Sequence, residues 1–179
     1  MNRFFISDTH FGHYGMLKHE SSSRPFKSIE EMDETMVRNW NSVVGKNDEV
    51  YILGDFSWHK NPERTLEILK QLHGKKYLVL GNHDEQIVKN KELRDQFIWV
   101  KDYYRLNVNG LKIILFHYPI QDWDCKFHGS IHLYGHVHSN KNNAMPLEIP
   151  GSYNVCADVN GLTPVSLEQI KKRLGVYAT

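Results

Sequence analysis

Histidine is over-represented in this chain, with 11 among 179 residues, and its placement beside aspartate suggests chemistry. Short apolar runs stop abruptly and hand over to metal-binding or proton-moving side chains. "FFISDTH" ends in Asp8 and His10, "VYILGD" in Asp55, and "YLVLGNHD" in Asn82, His83 and Asp84. "IILFH" ends in His117 and "HLYGHVH" in His136 and His138. Each case alone has an ordinary explanation: a turn aspartate, a capping residue, a satisfied core histidine. Five strand ends making the same choice is harder to explain that way. In α/β sheets, sites form outside the carboxyl ends of strands. The set offers two carboxylates, one amide oxygen and four imidazoles, with no thiolate: Asp8, His10, Asp55, Asn82, His117, His136 and His138. Nitrogen and oxygen ligands of this kind suit borderline divalent ions such as Mn, Fe, Zn or Ni rather than Ca or Mg. Seven ligands exceed what one tetrahedral ion needs, whereas two ions sharing one carboxylate use them well. A hydroxide bridging two such ions is a nucleophile near neutral pH, and the cations clamp anionic oxygens. Phosphoester hydrolysis is the chemistry favoured.

The elements that must position these residues follow from periodicity. "RFFIS" (3–7), "EVYILGD" (49–55) and "KYLVLG" (76–81) read as strands. Between them, residues 28–44 place Ile29, Met32, Met36, Val37, Trp40 and Val43 on one helical face. Ser28 with Glu31 forms a capping box there. Asn61-Pro62 starts a second helix that stops near Gly74. Gly81 is expected to permit a tight turn. The second half reads as more antiparallel: "YYRLNV" and "LKIILF" flank Asn109-Gly110, a hairpin signal. "IHLYG" (131–135) and "YNVCAD" (153–158) are two more short strands. Ser166 with Gln169 opens a last helix closed near Gly175. Two packed sheets with helices outside fit this order, as one domain over residues 1–179.

Bulk composition narrows the partners. Twenty-two basic and 21 acidic side chains leave a formal charge of +1, so there is no broad footprint for nucleic acid or anionic membrane. Nucleic acid stays open as a substrate, but without a strong basic patch. No apolar run approaches the roughly 18 residues of a membrane span, and "MNRFFISDTH" is too short in apolar residues for a signal peptide. Cys125 and Cys156 are read as reduced thiols of a cytoplasmic protein.

"DTH" at 8–10, "GD" at 54–55, "GNHD" at 81–84, His117 and "GHVH" at 135–138 together resemble the calcineurin-like metallophosphoesterases, in order and over about three quarters of the chain. The resemblance implies a four-layer α/β/β/α sandwich. It implies that Asp8, His10 and His138 hold one metal, that Asn82, His117 and His136 hold a second, and that Asp55 bridges them. His83 would protonate the leaving oxygen. The implied cofactors are two divalent ions, typically Mn. The implied substrate is a small phosphoester or nucleotide. One departure stands out. The protein-phosphatase branch carries Asp and Arg three and four residues after the bridging Asp, where this chain has Trp58 and His59. The short loops resemble small prokaryotic and phage members, which often prefer diesters and nucleotides. A phosphomonoesterase, or a non-catalytic metal-binding module of the same fold, are the alternatives. In the polar segment 9–28, His13 and Arg24 are placed as candidates to touch substrate phosphate; Arg24 is stiffened by Pro25. His19, His128 and His132 are placed on the surface. The segment 139–148 is placed as a loop next to the metal end.

Overall fold

A computed structural model describes residues 1–139 and 149–176 of the chain. Residues 140–148, most of the loop expected beside the metal end, lie outside the described residues. The first half alternates strand and helix: β1 (Arg3–Ile6), α1 (Met16–His19), α2 (Ile29–Val43), β2 (Glu49–Leu53), α3 (Pro62–Gln71) and β3 (Lys75–Val79). Two short helices follow, α4 (Glu85–Lys89) and α5 (Lys91–Arg94), then β4 (Val100–Lys101) and the hairpin β5 (Tyr104–Val108) and β6 (Leu111–Leu115). The chain closes with β7 (Ile131–Tyr134), β8 (Ser152–Asn154), β9 (Val165–Ser166) and α6 (Leu167–Leu174).

One sheet has the order β4-β3-β2-β1-β9, the other β5-β6-β7-β8. In the first, β1, β2, β3 and β4 run parallel and only β9 is antiparallel. The second sheet differs from the antiparallel expectation. Its hairpin pair β5–β6 is antiparallel, but β6–β7 and β7–β8 are parallel. The hairpin turn is local and visible in Asn109-Gly110, both at positive φ. The parallel pairs are joined by long connections that carry no local signal.

Alternation along each strand builds the layers. On the first sheet Phe4, Ile6, Val50, Ile52 and Leu78 face α2 and α3, packing on Met32, Met36, Trp40, Ile68 and Leu69. Their neighbours Phe5, Tyr51, Leu53 and Val79 face the second sheet and meet Ile113, Leu115 and Leu133. Burying side chains of this size contributes about 1.5–3 kcal/mol each. Helix α6 adds Leu167 and Ile170 at the rim of that middle layer. The outer face of the second sheet, at Ile114, is covered by Trp123 and Ile149. The layers follow the expected α/β/β/α order, with the fourth drawn largely from residues 118–130 and their helical turn Lys126–His128.

Capping explains the helix starts. Asn61 accepts from the Glu63 N–H at 2.9 Å, and Ser166 with Gln169 makes a complete capping box. At α2 only half of the expected box forms. Ser28 accepts from the Glu31 N–H, but the Glu31 carboxylate accepts from the Lys27 N–H instead. Among the described residues no helix is long and apolar enough to cross a membrane.

Candidate metal centre

Strands β1, β2 and β3 of one sheet and β6 and β7 of the other end on the same rim. Their last residues bring all seven candidate ligand side chains into one cleft. His10 Nε2 lies 3.8 Å from Asp8 Oδ1 and 3.6 Å from Asp55 Oδ2. His138 Nε2 is 3.8 Å from Asp8 Oδ1. His117 Nε2 is 3.7 Å from the same Asp55 Oδ2 and 3.0 Å from Asn82 Oδ1, which is 3.1 Å from His136 Nδ1. Atoms that surround one ion at about 2.0–2.2 Å lie roughly 3–3.5 Å from one another, close to this spacing. Asp55 Oδ2 belongs to both halves.

The donor set fits divalent cations on two further observations. Asp8 Oδ1 and both ring nitrogens of His10 are buried with no hydrogen-bond partner, an arrangement that costs free energy unless something fills it. The Asp55 carboxyl is pushed above its ordinary range by burial and by the nearby Asp8 charge, against the pull of His117 and His83. That is the state of a buried carboxylate short of positive charge.

The imidazoles are aimed from behind. His117 Nδ1 is 2.7 Å from the Leu53 carbonyl, so Nδ1–H donates there and Nε2 is left for the cleft. His138 Nδ1 is 2.7 Å from Asp158 Oδ2, which fixes its tautomer in the same way. Burial would lower the His138 pKa, but the Asp158 hydrogen bond and the Asp8 charge outweigh it and raise it. His10 is lowered, first by burial and then by the neighbouring His138.

The backbone is strained where these side chains are needed. Asp8, His10, Asp55, His136 and His138 have φ of 53°, 47°, 56°, 71° and 46°. They are five of the eight non-glycine residues at positive φ among the described residues. Each such residue costs of order 1–3 kcal/mol. Cross-strand bonds hold the turns in place: Asp8 N–H to Gly54 O, His10 N–H to Asp55 O, Gly135 N–H to His117 O. The role expected of Gly81 is corrected. Its φ is not positive; a Cβ there would fall 2.3 Å from Asp55 Oδ1, so what it supplies is room for the carboxylate. Gly135 does the same for Asp8, whose Oδ2 would be 2.3 Å from an added Cβ.

Asp84 joins two of these turns. It is buried, and its carboxylate accepts from the N–H groups of Gly81, Asp55 and Phe56 at 2.8, 2.9 and 2.9 Å. Burial raises its pKa against those three donors. Asp84 therefore ties the Gly54–Phe56 turn to the Gly81–Asp84 turn and does not touch the His83 ring. His83 donates its main-chain N–H to Asp55 Oδ1 at 2.9 Å, while its ring stands exposed at the rim. Trp58 meets that ring edge to face, with centroids 4.3 Å apart. His59 turns away, its Nε2 2.7 Å from Asp33 Oδ2.

The candidate substrate residues divide. His13 sits half-buried against Trp58 (4.3 Å) and His10 (5.3 Å), at the cleft, its pKa lowered by burial and by His83. Arg24 is a correction. It is 0% exposed, and its guanidinium is consumed by Asp158 at 2.6 Å, Asp8 O at 2.6 Å and Thr9 O at 2.7 Å. Substrate cannot reach it. His132 is also corrected: it is fully buried, its ring nitrogens each 3.2 Å from a carbonyl, of Ile114 and Tyr118.

Sequence reasoning missed three supports, all in "NVCAD". Asp158 holds His138. Cys156 Sγ–H donates to Asp8 Oδ2 at 2.9 Å, which also accepts the His136 N–H. Asn154 donates to the His138 carbonyl at 2.9 Å. The one local signal was that the segment read as a strand over 153–158 closes on an aspartate. A cavity of about 240 Å³ opens beside His83, lined by Trp58, His59, Asn82, Glu85 and Gln86. A larger one of about 680 Å³ lies at the opposite ends of the strands, near Arg3, Val108 and Glu168, away from this chemistry.

The chain has recognisable relatives among known proteins. The chain is 36% identical over 172 residues to the uncharacterized protein MJ1445 of Methanocaldococcus jannaschii, covering 94% of this chain and 89% of that protein. It is 30% identical to the Gene 66 protein of Mycobacterium phage L5, over 77% of this chain and 78% of the other. Among solved structures, the protein of unknown function AQ665 from Aquifex aeolicus superposes with a TM-score of 0.73 at 29% identity, covering 96% and 98% of the two chains. The family model described as calcineurin-like phosphoesterase matches residues 1–104, more than half of the 179, and with it the DTH, GD and GNHD strand ends. The chain belongs to the calcineurin-like phosphoesterase family.

Proposed function

We propose that this chain is a two-metal phosphoesterase that prefers phosphodiester or nucleotide substrates. The observation that carries the reading is the gathering of seven ligand side chains in one cleft, with Asp55 Oδ2 between His10 and His117 and the exposed His83 ring beside them. Asp8, His10 and His138 would hold one divalent ion and Asn82, His117 and His136 the other, with Asp55 between. When bound, such ions lower the pKa of water and draw charge from phosphoryl oxygens. Mn fits the nitrogen and oxygen donors.

The chain's own residues supply the rest. Leu53 O and Asp158 keep the His117 and His138 lone pairs turned to the cleft. His83 gives a proton from its ring to the leaving oxygen, held at the rim by Trp58 and anchored through its N–H to Asp55. His13, packed against Trp58 and His10 at the cleft, would offer a ring nitrogen to a phosphoryl oxygen. The preference for diesters rests on charge. A phosphomonoester is doubly charged near neutral pH, yet Arg24 is buried and His59 is turned to Asp33, so neither offers a cation to the cleft. A singly charged diester needs less. The two cysteines are unpaired, which supports action in the cytoplasm.

The test is a metal-by-substrate screen with bis-p-nitrophenyl phosphate, p-nitrophenyl phosphate, cyclic nucleotides, dinucleotides and single-stranded DNA. Faster turnover of the diester with Mn is expected. His83→Ala should lose most of the rate while keeping its metal. A strong preference for the monoester would overturn the diester reading. Inactivity with metal bound would point to a binding module instead.

A further inference from the structure

Arg24 and Asp158 form an ion pair with both side chains fully buried, Nε to Oδ1 2.6 Å. Such a pair is weak evidence for stability, because desolvation offsets the attraction. Its partners suggest what else it does. Arg24 donates to the carbonyls of Asp8 and Thr9, in the turn where Asp8 and His10 are both at positive φ. Asp158 accepts from Arg24, from the Ser23 hydroxyl at 3.2 Å and from His138 Nδ1. Apart from the Ser23 hydroxyl and the Met32 and Met36 sulfurs that also meet the guanidinium, these contacts lead to the Asp8–His10 turn or to His138. Neither member of the pair contacts the Asn82, His117 or His136 side chain directly, and the nearest link is the His136 main-chain N–H on Asp8 Oδ2. His117 is aimed by the Leu53 carbonyl, and His136 and Asn82 contact each other.

We infer that the buried Arg24–Asp158 pair is a positioning device for one of the two metal positions only, that of Asp8, His10 and His138, and sets its affinity apart from the other. This rests on the ligand assignment proposed above. Arg24 holds the main chain of the strained turn, so that Asp8 Oδ1 and His10 Nε2 keep their direction. Asp158 holds the His138 ring and strengthens its Nε2 as a donor. Pairing with Arg24 lets Asp158 do this deep in the protein without an unbalanced negative charge.

The experiment titrates Mn into the metal-free chain by calorimetry, with thermal unfolding recorded for each variant. Wild type should bind two equivalents. Asp158→Asn and Arg24→Lys should each weaken one equivalent by about 10–100-fold, the range for partners behind a ligand, and leave the other within about twofold. The weakened equivalent should be the one lost in His138→Ala, not the one lost in His136→Ala. Asp158→Asn added to His138→Ala should change nothing more. Equal weakening of both equivalents, or a lowered Tm with both intact, would make the pair merely structural and overturn the inference. Fewer than two equivalents in wild type would instead contradict the ligand assignment itself.

Discussion

Trp58→Ala removes the ring that sets the direction of His83. The two rings meet edge to face, with centroids 4.3 Å apart and planes at 64°. Pairs of this geometry contribute about 0.5–1.5 kcal/mol. The His83 main chain is fixed by its bond to Asp55, but its ring is at the exposed rim. Without Trp58 the ring can leave the productive rotamer. An energy of about 0.5–1.5 kcal/mol corresponds to a drop of roughly 2- to 13-fold in its population. In steady-state hydrolysis of bis-p-nitrophenyl phosphate at saturating Mn, kcat should fall by that factor with KM little changed. Trp58→Phe, which keeps an aromatic edge, should recover most of it. In a His83→Ala background the Trp58 substitution should add nothing, since the ring it positions is gone. A raised KM with unchanged kcat would refute this reasoning and make Trp58 a substrate contact.

Asp84→Asn turns one acceptor oxygen into a donor, so at least one of three N–H groups, two of them buried, loses its partner. That costs about 1–3 kcal/mol, or roughly 2–12 °C in Tm for a chain of this size; an unchanged calorimetric Tm in the metal-free protein would contradict it. Asp158 gives a pH dependence. Burial would raise its carboxyl, but His138 and Arg24 hold it well below the usual 3.8. A depressed acid contributes stability that is present above its unfolded pKa and lost as pH falls toward the folded value. The stability gap between wild type and Asp158→Asn should therefore narrow below about pH 4; a gap that stays constant under acid would count against the pairing.

The convergence of Asp8, His10, Asp55, Asn82, His117, His136 and His138 was legible because strand ends are local. Each apolar run stops at its own Gly, Asp or His, and the parallel pairing of β1, β2 and β3 brings those ends to one rim. What could not be read depends on distant partners. Arg24 looked like a loop cation because its carboxylate lies 134 residues away. Asp158 and Cys156 sat in a segment read as plain strand, which in fact ends at Asn154 and turns into a short helical segment. His132 looked like surface because nothing local shows that two carbonyls enclose it. Helices α4 and α5, of five and four residues, are too short to show a helical period. The parallel pairing of β6, β7 and β8 was hidden for the same reason as Arg24: it is made by contacts far apart in the chain.

The central claim, that two ions share one carboxylate in this cleft, is tested most directly by anomalous diffraction from crystals soaked in Mn. Two peaks are predicted, one among Asp8, His10 and His138 and one among Asn82, His117 and His136, both against Asp55. A single peak, or two peaks with Asp55 bound to only one, would contradict it.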